Sequence, residues 1–575
     1  MYILGINAYH ADASACIYHH DQLIAASEEE RFRRIKHWAG FPSEAIQFCL
    51  NEAGISIQDV DYIAISRDPK ANFGSKILSA IKNRLSIKNM LNRVKNLQKA
   101  ASIEDEFCTL FQIDKTALKA QIINVEHHRS HLASAFFASP FEHAALLSID
   151  GFGDYSSTMT GVGNGNQIEV LETVSYPHSI GVFYTTLTQF LGFPHYGDEY
   201  KVMGLAPYGT PKYVEKLKDI ILFQDDGLFK LNLEYFNHPK KGVKMVWEGG
   251  IPHMDSLFTA YMIEKLGPAR NAKDELTQYH KDLAASVQKV TEEVIFHILN
   301  HLQQKTGATQ VCIAGGVAQN SVANGKILRH TGFKQLYIPP AGHDAGTCLG
   351  AALWIYHQLL KKPRTEPTLH GYFGSQFSNE EIISYLKSQD IHFEQLEGEA
   401  LFDRVSDCLI NAGVVGWFQG RAEFGPRALG HRSIIADPRR ADAKEILNAK
   451  IKRRESFRPF APSILKEYVS EYFEEYDEVP FMEKVFPIRQ EKHALIPAVT
   501  HVDGTGRLQT VDKEVEPKYY GLIENFRKKT GVPILLNTSF NENEPIVNTP
   551  QEALACYLRT KMDMLVLGDI VISRS

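Results

Sequence analysis

Two histidines one helical turn apart, His127 and His131 in Val125-Glu126-His127-His128-Arg129-Ser130-His131, are the residues from which chemistry is most readily read. On a helix, positions i and i+4 share a face, so both imidazoles can grip one metal ion. Two neutral nitrogens bind weakly by themselves, and a centre that works on oxygen ligands calls for carboxylates as well. Asp150 closes the apolar run Ala144 to Ile149, which reads as a buried strand delivering its side chain to a strand mouth. Asp344 is the best fourth ligand, in the Gly-rich turn Pro339-Pro340-Ala341-Gly342-His343-Asp344-Ala345-Gly346-Thr347. That turn lies between an apparent strand, Gln335 to Ile338, and a helix, Cys348 to Leu360. The simpler reading of the pair is a polar helix face, and the strand-ending Asp150 favours the metal.

A second chemistry is written in arginines. From Arg421 to Arg458 there are eleven Lys or Arg against five Asp or Glu, on a chain whose net charge is −6. They stand beside Gly and Pro in Gly420-Arg421-Ala422-Glu423-Phe424-Gly425-Pro426-Arg427-Ala428-Leu429-Gly430-His431-Arg432 and in Ile451-Lys452-Arg453-Arg454-Glu455-Ser456-Phe457-Arg458-Pro459. Arginine in turns suits bidentate capture of phosphate oxygens. Asp503-Gly504-Thr505-Gly506-Arg507 is another such turn, and strand Ile534-Leu535-Leu536 ends in the neutral donors Asn537-Thr538-Ser539-Phe540-Asn541. An RNA surface is the rival, but the interleaved aromatic and basic residues of single-strand platforms are missing.

The elements that must hold these groups read as a duplicated α/β core. Tyr2 to Ile6, Ala15 to Tyr18 and Leu23 to Ala26 are strands, and Asn7 to Ser14 is a turn that carries His10. Leu146 to Gly161 repeats that grammar, a strand that ends in Asp150-Gly151 and turns back through small residues. In such cores the two turns face a cleft and present backbone N–H groups to phosphates. Val311 to Ser321 contains a strand that ends in Gly315-Gly316, where a ligand can approach the backbone closely. Pro42 to Ala53 reads as an amphipathic helix and Gln278 to Gln303 as a long one, while Gly197 to Gly209 reads as a loop fit for a pocket wall. Phe223 to Pro268 reads as irregular, the natural place for acceptor specificity. Lys76 to Lys99 carries seven Lys or Arg at helical spacing with apolar residues, and a solvated surface helix accounts for it. Lys361 to Pro367 reads as the linker between two domains, 1–362 and 368–575.

A chain of 575 residues needs at least two cores. Its 44% hydrophobic and 23% charged content is that of a soluble globular protein, and its acidic balance disfavours a general polyanion binder. Seven scattered cysteines without a CxxC pair indicate neither a disulfide framework nor a zinc knuckle. With no apolar run of about 20 residues and no signal peptide, a cytoplasmic location without a membrane partner is expected.

Nearly end to end, the chain resembles the O-carbamoyltransferase family of nodulation proteins and of enzymes that decorate tobramycin and cephamycin. The resemblance rests on His127-x-x-x-His131 with Asp150 and Asp344, on Lys201-Val202-Met203-Gly204-Leu205-Ala206-Pro207-Tyr208-Gly209, on Gly315-Gly316-Val317-Ala318-x-Asn320, on Gly425-Pro426-Arg427-Ala428-Leu429-Gly430-x-Arg432-Ser433 and on Asn537 to Asn541. It implies an α/β protein with an N-terminal duplicated domain of the actin-like ATPase and sugar-kinase class (Kae1-like) and a C-terminal YrdC-like α/β domain. It also implies an ATP-dependent O-carbamoyltransferase. Carbamoyl phosphate and ATP would form carbamoyladenylate in the C-terminal domain, on Arg427, Lys452, Arg458, Arg507, Asn537 and Ser539. The N-terminal domain would bind nucleotide at Gly315, Gly316 and Asn320, and pass the carbamoyl group to a hydroxyl of a small-molecule acceptor. His127, His131, Asp150 and Asp344 match the family's metal ligands, with Fe(II) implied and Mn or Mg as alternatives. His10 is the candidate general base, because a near-neutral pKa suits removal of an alcohol proton. The alternative is a tRNA-modifying enzyme of the threonylcarbamoyladenosine type, which would need a broad basic face; a nucleic-acid partner is not expected.

Overall fold

The computed structural model describes residues 1–72, 103–242, 245–248, 251–364 and 366–574. The basic segment Lys76 to Lys99 lies outside them. The chain divides into two compact units, one of Met1–Asn320 with Ile327–Thr368, the other of Ser321–Lys326 with Leu369–Ser575.

In the first unit, β1 (Tyr2–Asn7), β2 (Ser14–His19) and β3 (Gln22–Glu28) form an antiparallel meander, and β4 (Tyr62–Ile65) and β5 (Gln121–Asn124) extend it in parallel from β1. The order is therefore β3-β2-β1-β4-β5. β6 (His143–Gly153), β7 (Ser156–Asn164), β8 (Gln167–Ser175), β9 (Gln310–Ala314) and β10 (Gln335–Tyr337) repeat the plan as β8-β7-β6-β9-β10. Two sheets with the same order and the same mixture of directions make the duplicated core expected from the sequence. The apolar runs are continuous because both sheet faces are covered. Leu4, Ile6, Ile17 and Ile63 are fully buried against helix α1 (Ser43–Ala53), which contributes Ala45, Ile46 and Leu50. Each such aliphatic side chain stabilises the fold by about 1.5–3 kcal/mol.

Helix α2 (His127–Phe136) is buried nearly all round. It packs against α3 (Thr347–Leu353) so closely that a Cβ at Gly350 would stand 1.7 Å from the Ser130 carbonyl oxygen. The stretch from Lys361 onward is tied to this same unit, since Arg364 Nη2 donates to the carbonyls of Phe136 (3.0 Å) and Ser139 (2.7 Å).

Two local expectations are corrected. Gly197 to Gly209 is not an open loop: Glu199–Leu205 is helical and Ala206–Tyr208 continues as a 3-10 turn, with Val202 and Leu205 buried beside the long helix Gln278–Thr306. Burial of that apolar pair outweighs the glycine inside the helix. The span from Phe223 to Pro268 is not irregular throughout, because Ile221–Phe223 pairs with Phe229–Leu231, Met245–Glu248 pairs with Ile251–Met254, and Ala260–Leu266 is helical. Short two-stranded pairs carry too few residues for a period of two to show in the sequence.

The second unit is built on one eight-stranded sheet. It runs from β11 (Val415–Phe418) through β12 (Arg432–Ala436), β15 (Ile534–Ser539) and β13 (Ala461–Leu465) to the edge strand β14 (Gln509–Val511). Trp417, Leu535 and Leu565 are fully buried in its core. Strand pairing brings together residues distant in sequence, as where Ser433 faces Ser539 and Ala461 faces Asn537.

Candidate metal centre and anion pocket

In the first unit, Glu126 caps α2 by accepting from Arg129 N (2.8 Å), which fixes where the first helical residue falls. His127 and His131 then project from one face with ring centroids 4.6 Å apart. His128 faces elsewhere, its Nδ1 2.7 Å from Ser148 Oγ, so the ligand register is His127 with His131. Asp150, on β6, places Oδ2 3.2 Å from His127 Nε2 and 3.2 Å from His131 Nε2. Its Oδ1 accepts from Gly151 N (2.7 Å) and Gly316 N (3.1 Å). Asp344 Oδ1 lies 3.6 Å from His127 Nε2 and 3.4 Å from His131 Nε2, buried and without a hydrogen bond. The two imidazole Nε2 atoms are 3.1 Å apart.

Four donor atoms thus converge within 4.8 Å of one another, all from buried residues. Donors about 2.0–2.2 Å from a common first-row cation stand roughly 3.0–3.5 Å from one another. The observed separations of 3.1–3.6 Å match that spacing. Without a cation the cluster balances charge with protons. Burial works against a charged His131, yet the hydrogen bonds and charges of Asp150 and Asp344 prevail and push it up to about 9. Burial also opposes ionisation of Asp150, and the two histidines hold it well below the usual carboxylate range. His128 is driven down to about 3 by burial and by the charges of His127 and His131.

His10 comes from the β1–β2 turn. The Asn7 amide braces that turn by donating to the carbonyls of Ala11 (2.9 Å) and Asp12 (3.1 Å), and Ser14 Oγ ties it to the Ala345 carbonyl (2.7 Å). His10 Nδ1 is 2.6 Å from Asp344 Oδ2, and Nε2 is 3.4 Å from the Phe152 carbonyl oxygen. Burial opposes its charge, but Asp344 raises it to about 9. Of the residues expected at a nucleotide, Gly316 donates its N–H to Asp150, and Asn320 exchanges two 3.0 Å hydrogen bonds with Gln288.

In the second unit, Arg427 and Arg507 have no carboxylate at ion-pair distance among the described residues. Burial and the neighbouring Arg458 push Arg427 down to about 10. Burial and the charges of Arg427, Arg454 and Arg458 push Arg507 well below its ordinary value. Four guanidinium groups therefore crowd positive charge into a half-buried space. Glu423 shapes the loop that presents Arg427: its Oε1 accepts from the N–H groups of Leu429 (2.7 Å), His431 (2.9 Å) and Arg432 (3.1 Å). Asn537 Nδ2 donates to Ala428 O, Ser463 Oγ and Gln509 Oε1, which leaves its buried Oδ1 without a partner. Lys452 Nζ binds the carbonyls of Ser539 and Asn541 and the Asn541 Oδ1, and it fastens the end of β15.

Comparison with known proteins decides the family. A model described as carbamoyltransferase N-terminus matches residues 2–353, and one described as carbamoyltransferase C-terminus matches residues 406–574. This chain belongs to the carbamoyltransferase family. The carbamoyltransferase is 39% identical to nodulation protein NolNO of Sinorhizobium fredii over 99% of this chain and 80% of that protein. It is 40% identical to nodulation protein NolO of Bradyrhizobium diazoefficiens, over 78% of this chain and 79% of the relative. It is also 32% identical to the 3'-hydroxymethylcephem-O-carbamoyltransferase of Amycolatopsis lactamdurans over 46% of this chain and 49% of that enzyme.

Three residues of the carbamoyltransferase escaped sequence reasoning. Glu423 was visible only as part of an arginine motif, and Arg454 only as one of a basic run. His501 acts electrostatically with Arg507 and Lys444, its Nε2 is buried without a hydrogen bond, and burial pushes it down to about 4. Its position two residues before Asp503-Gly504 was the available signal. No described helix is long and apolar enough to cross a membrane.

Proposed function

We propose that the protein is an ATP-dependent O-carbamoyltransferase that activates carbamoyl phosphate in its second unit and transfers the carbamoyl group to a hydroxyl in its first. The observation that carries this reading is the pairing of two specialised clusters in one carbamoyltransferase chain. One is a cluster of four arginines, Arg427, Arg454 and Arg458 around the buried Arg507, and the other a buried His2Asp2 donor set.

In the second unit, Arg427, Arg454, Arg458 and Arg507 hold the phosphates of carbamoyl phosphate and ATP and offset the charge that grows as phosphoryl bonds break. Carbamoyl phosphate loses its phosphate to water. The carbamate oxygen then bonds to the α-phosphorus of ATP, and pyrophosphate departs with the bonding pair. Asn537 Oδ1 accepts from the carbamoyl NH2 group. Lys452 and Ser539 act by holding the strand end that presents Asn537.

In the first unit, His127, His131, Asp150 and Asp344 would hold a divalent cation, and their imidazole and carboxylate donors suit Fe(II) or Mn(II). Such an ion supplies Lewis acidity toward the phosphate of the activated donor. Gly316 N fixes the Asp150 carboxylate, and His10 fixes that of Asp344. As the acceptor oxygen bonds to the carbamoyl carbon, its proton must leave. His10 is the nearest side chain that exchanges protons near neutrality, once Asp344 is engaged elsewhere. The acceptor class is a small molecule with an alcohol, the class to which the named cephem relatives point.

The test is pyrophosphate release from ATP with carbamoyl phosphate. Arg458→Ala abolishes it. Asp150→Asn leaves it intact and blocks carbamoylation of a candidate alcohol, read by mass spectrometry. Equal loss of pyrophosphate release in both variants removes the division of labour between the units.

A further inference from the structure

The turn that precedes Arg507 carries a histidine that nothing so far has used. His501 N–H donates to Thr505 O (2.8 Å) and Gly504 N–H donates to His501 O (2.9 Å), which closes the turn and leaves Val502 and Asp503 exposed at its tip. Thr505 then sets the tautomer of the ring. Its single hydroxyl proton goes to Asp503 Oδ1 (2.7 Å), so toward His501 Nδ1, 3.2 Å away, the same oxygen accepts. The ring proton therefore sits on Nδ1, and Nε2 presents a lone pair. That nitrogen is buried without a hydrogen-bond partner, and His501 is the one described histidine of the second unit with such an atom.

Two further buried atoms without partners belong to the same neighbourhood. Arg507 Nε is one, and Asn537 Oδ1 is the other. Asn537 is joined to this stretch through Gln509, whose Oε1 accepts from Asn537 Nδ2 at 3.2 Å. Native interiors seldom leave such atoms unmatched, and a donor, an acceptor and a bare imidazole nitrogen together call for a polar occupant. The charges that face the ring are Asp503 and Arg507 from its own segment and Lys444 from the helix Ala443–Ile446. Burial is the largest influence and drives the imidazole down to about 4; Asp503 and, more weakly, the Phe460 carbonyl pull it up, while Arg507 and Lys444 push it down. The ring is thus neutral at pH 7. A phosphate bound among the arginines places negative charge beside it and raises its basicity as the substrate arrives.

We propose that His501 Nε2 is the base that takes the proton of the water that cleaves carbamoyl phosphate beside Arg507. The assignment rests on the carbamoyl-activation reading above and names the residue for its first step. The water oxygen bonds to phosphorus, and the bond from phosphorus to the bridging oxygen breaks. Its electron pair stays on that oxygen, which leaves as carbamate. The water's proton passes to His501 Nε2 and from there to solvent, so the products are carbamate and inorganic phosphate. Orienting and deprotonating the attacking water is what a protein adds to such a transfer once arginines hold the phosphoryl oxygens.

Phosphate release from carbamoyl phosphate by the full-length protein, measured above the spontaneous rate, tests it. H501Q should release phosphate about a hundredfold more slowly, or worse, the scale on which a positioned base contributes. In the unaltered protein kcat should fall at acid pH, with a midpoint above the value of about 4 in the free protein, and that limb should be missing in H501Q. Carbamate supplied directly from ammonium bicarbonate enters after the proposed step. It should restore pyrophosphate release from ATP in H501Q and leave R458A inactive. Phosphate release by H501Q within a few-fold of the unaltered protein, or an acid limb that persists in it, overturns the assignment. So does an H501Q protein that carbamate fails to restore, because His501 would then serve the fold or the adenylation step. An unaltered protein that releases no phosphate above the spontaneous rate removes the carbamoyl-activation reading itself, and the role of His501 with it.

Discussion

Replacing Glu423 by Gln should loosen the loop that carries Arg427 while leaving the sheet beneath it intact. The Glu423 carboxylate is 1% exposed, and one of its oxygens accepts three backbone N–H groups at 2.7–3.1 Å. A hydrogen bond to a charged acceptor contributes about 1.5–3 kcal/mol and one to a neutral acceptor about 0.5–1.5 kcal/mol, a difference of roughly 1 kcal/mol or more per bond. Three bonds that share an oxygen are not additive, so a total loss of about 2–3 kcal/mol is expected. Local opening then becomes roughly 30- to 150-fold more frequent, at about 1.4 kcal/mol for each factor of ten. Hydrogen exchange followed by mass spectrometry reads this directly. Amides across 424–432 should exchange faster by that factor, while those of Val415–Phe418 keep their protection. Unchanged exchange in the loop would refute the argument. Uniform acceleration through the whole second unit would refute it too, since Glu423 would then support the core rather than the arginine loop.

Asp344→Asn should reduce bound metal, measured by elemental analysis of purified protein, with pyrophosphate release retained. Arg507→Ala should raise the KM for carbamoyl phosphate at least tenfold, because a charge-assisted contact is worth about 1.5–3 kcal/mol; an unchanged KM removes Arg507 from the anion pocket. The metal-free protein should lose stability as pH falls. His128 titrates near 6.5 when unfolded and is driven to about 3 by burial and the two neighbouring histidines, so its share is intact above 6.5 and disappears as pH drops toward 3. His128→Gln should therefore move the acid-unfolding midpoint to lower pH, and a midpoint that stays put would contradict this.

How much the sequence revealed depended on the range of the interaction. The i,i+4 pair His127 and His131 and the strand-ending Asp150 follow from local periodicity, and they do converge. The Asp344 turn was legible because Gly and Pro punctuate it. Partners were not legible. Nothing local says that the Gly316 N–H serves Asp150, or that Lys452 is consumed in fastening Asn541. These contacts come from packing between segments far apart in sequence, which no window of neighbours reports. The helix at Glu199–Leu205 was missed because Gly204 within it, and Gly197, Pro207 and Gly209 around it, weigh against helix locally, whereas the burial of Val202 and Leu205 is a tertiary fact.

The sheet order also bears on synthesis. His127 and His131 leave the ribosome before the second sheet exists, Asp150 opens that sheet, and Asp344 arrives only after its last strand, Gln335–Tyr337. A nascent chain stopped short of that turn holds three of the four donors, with His10 lacking its carboxylate. The centre can close only once the second of the two like sheets has been finished.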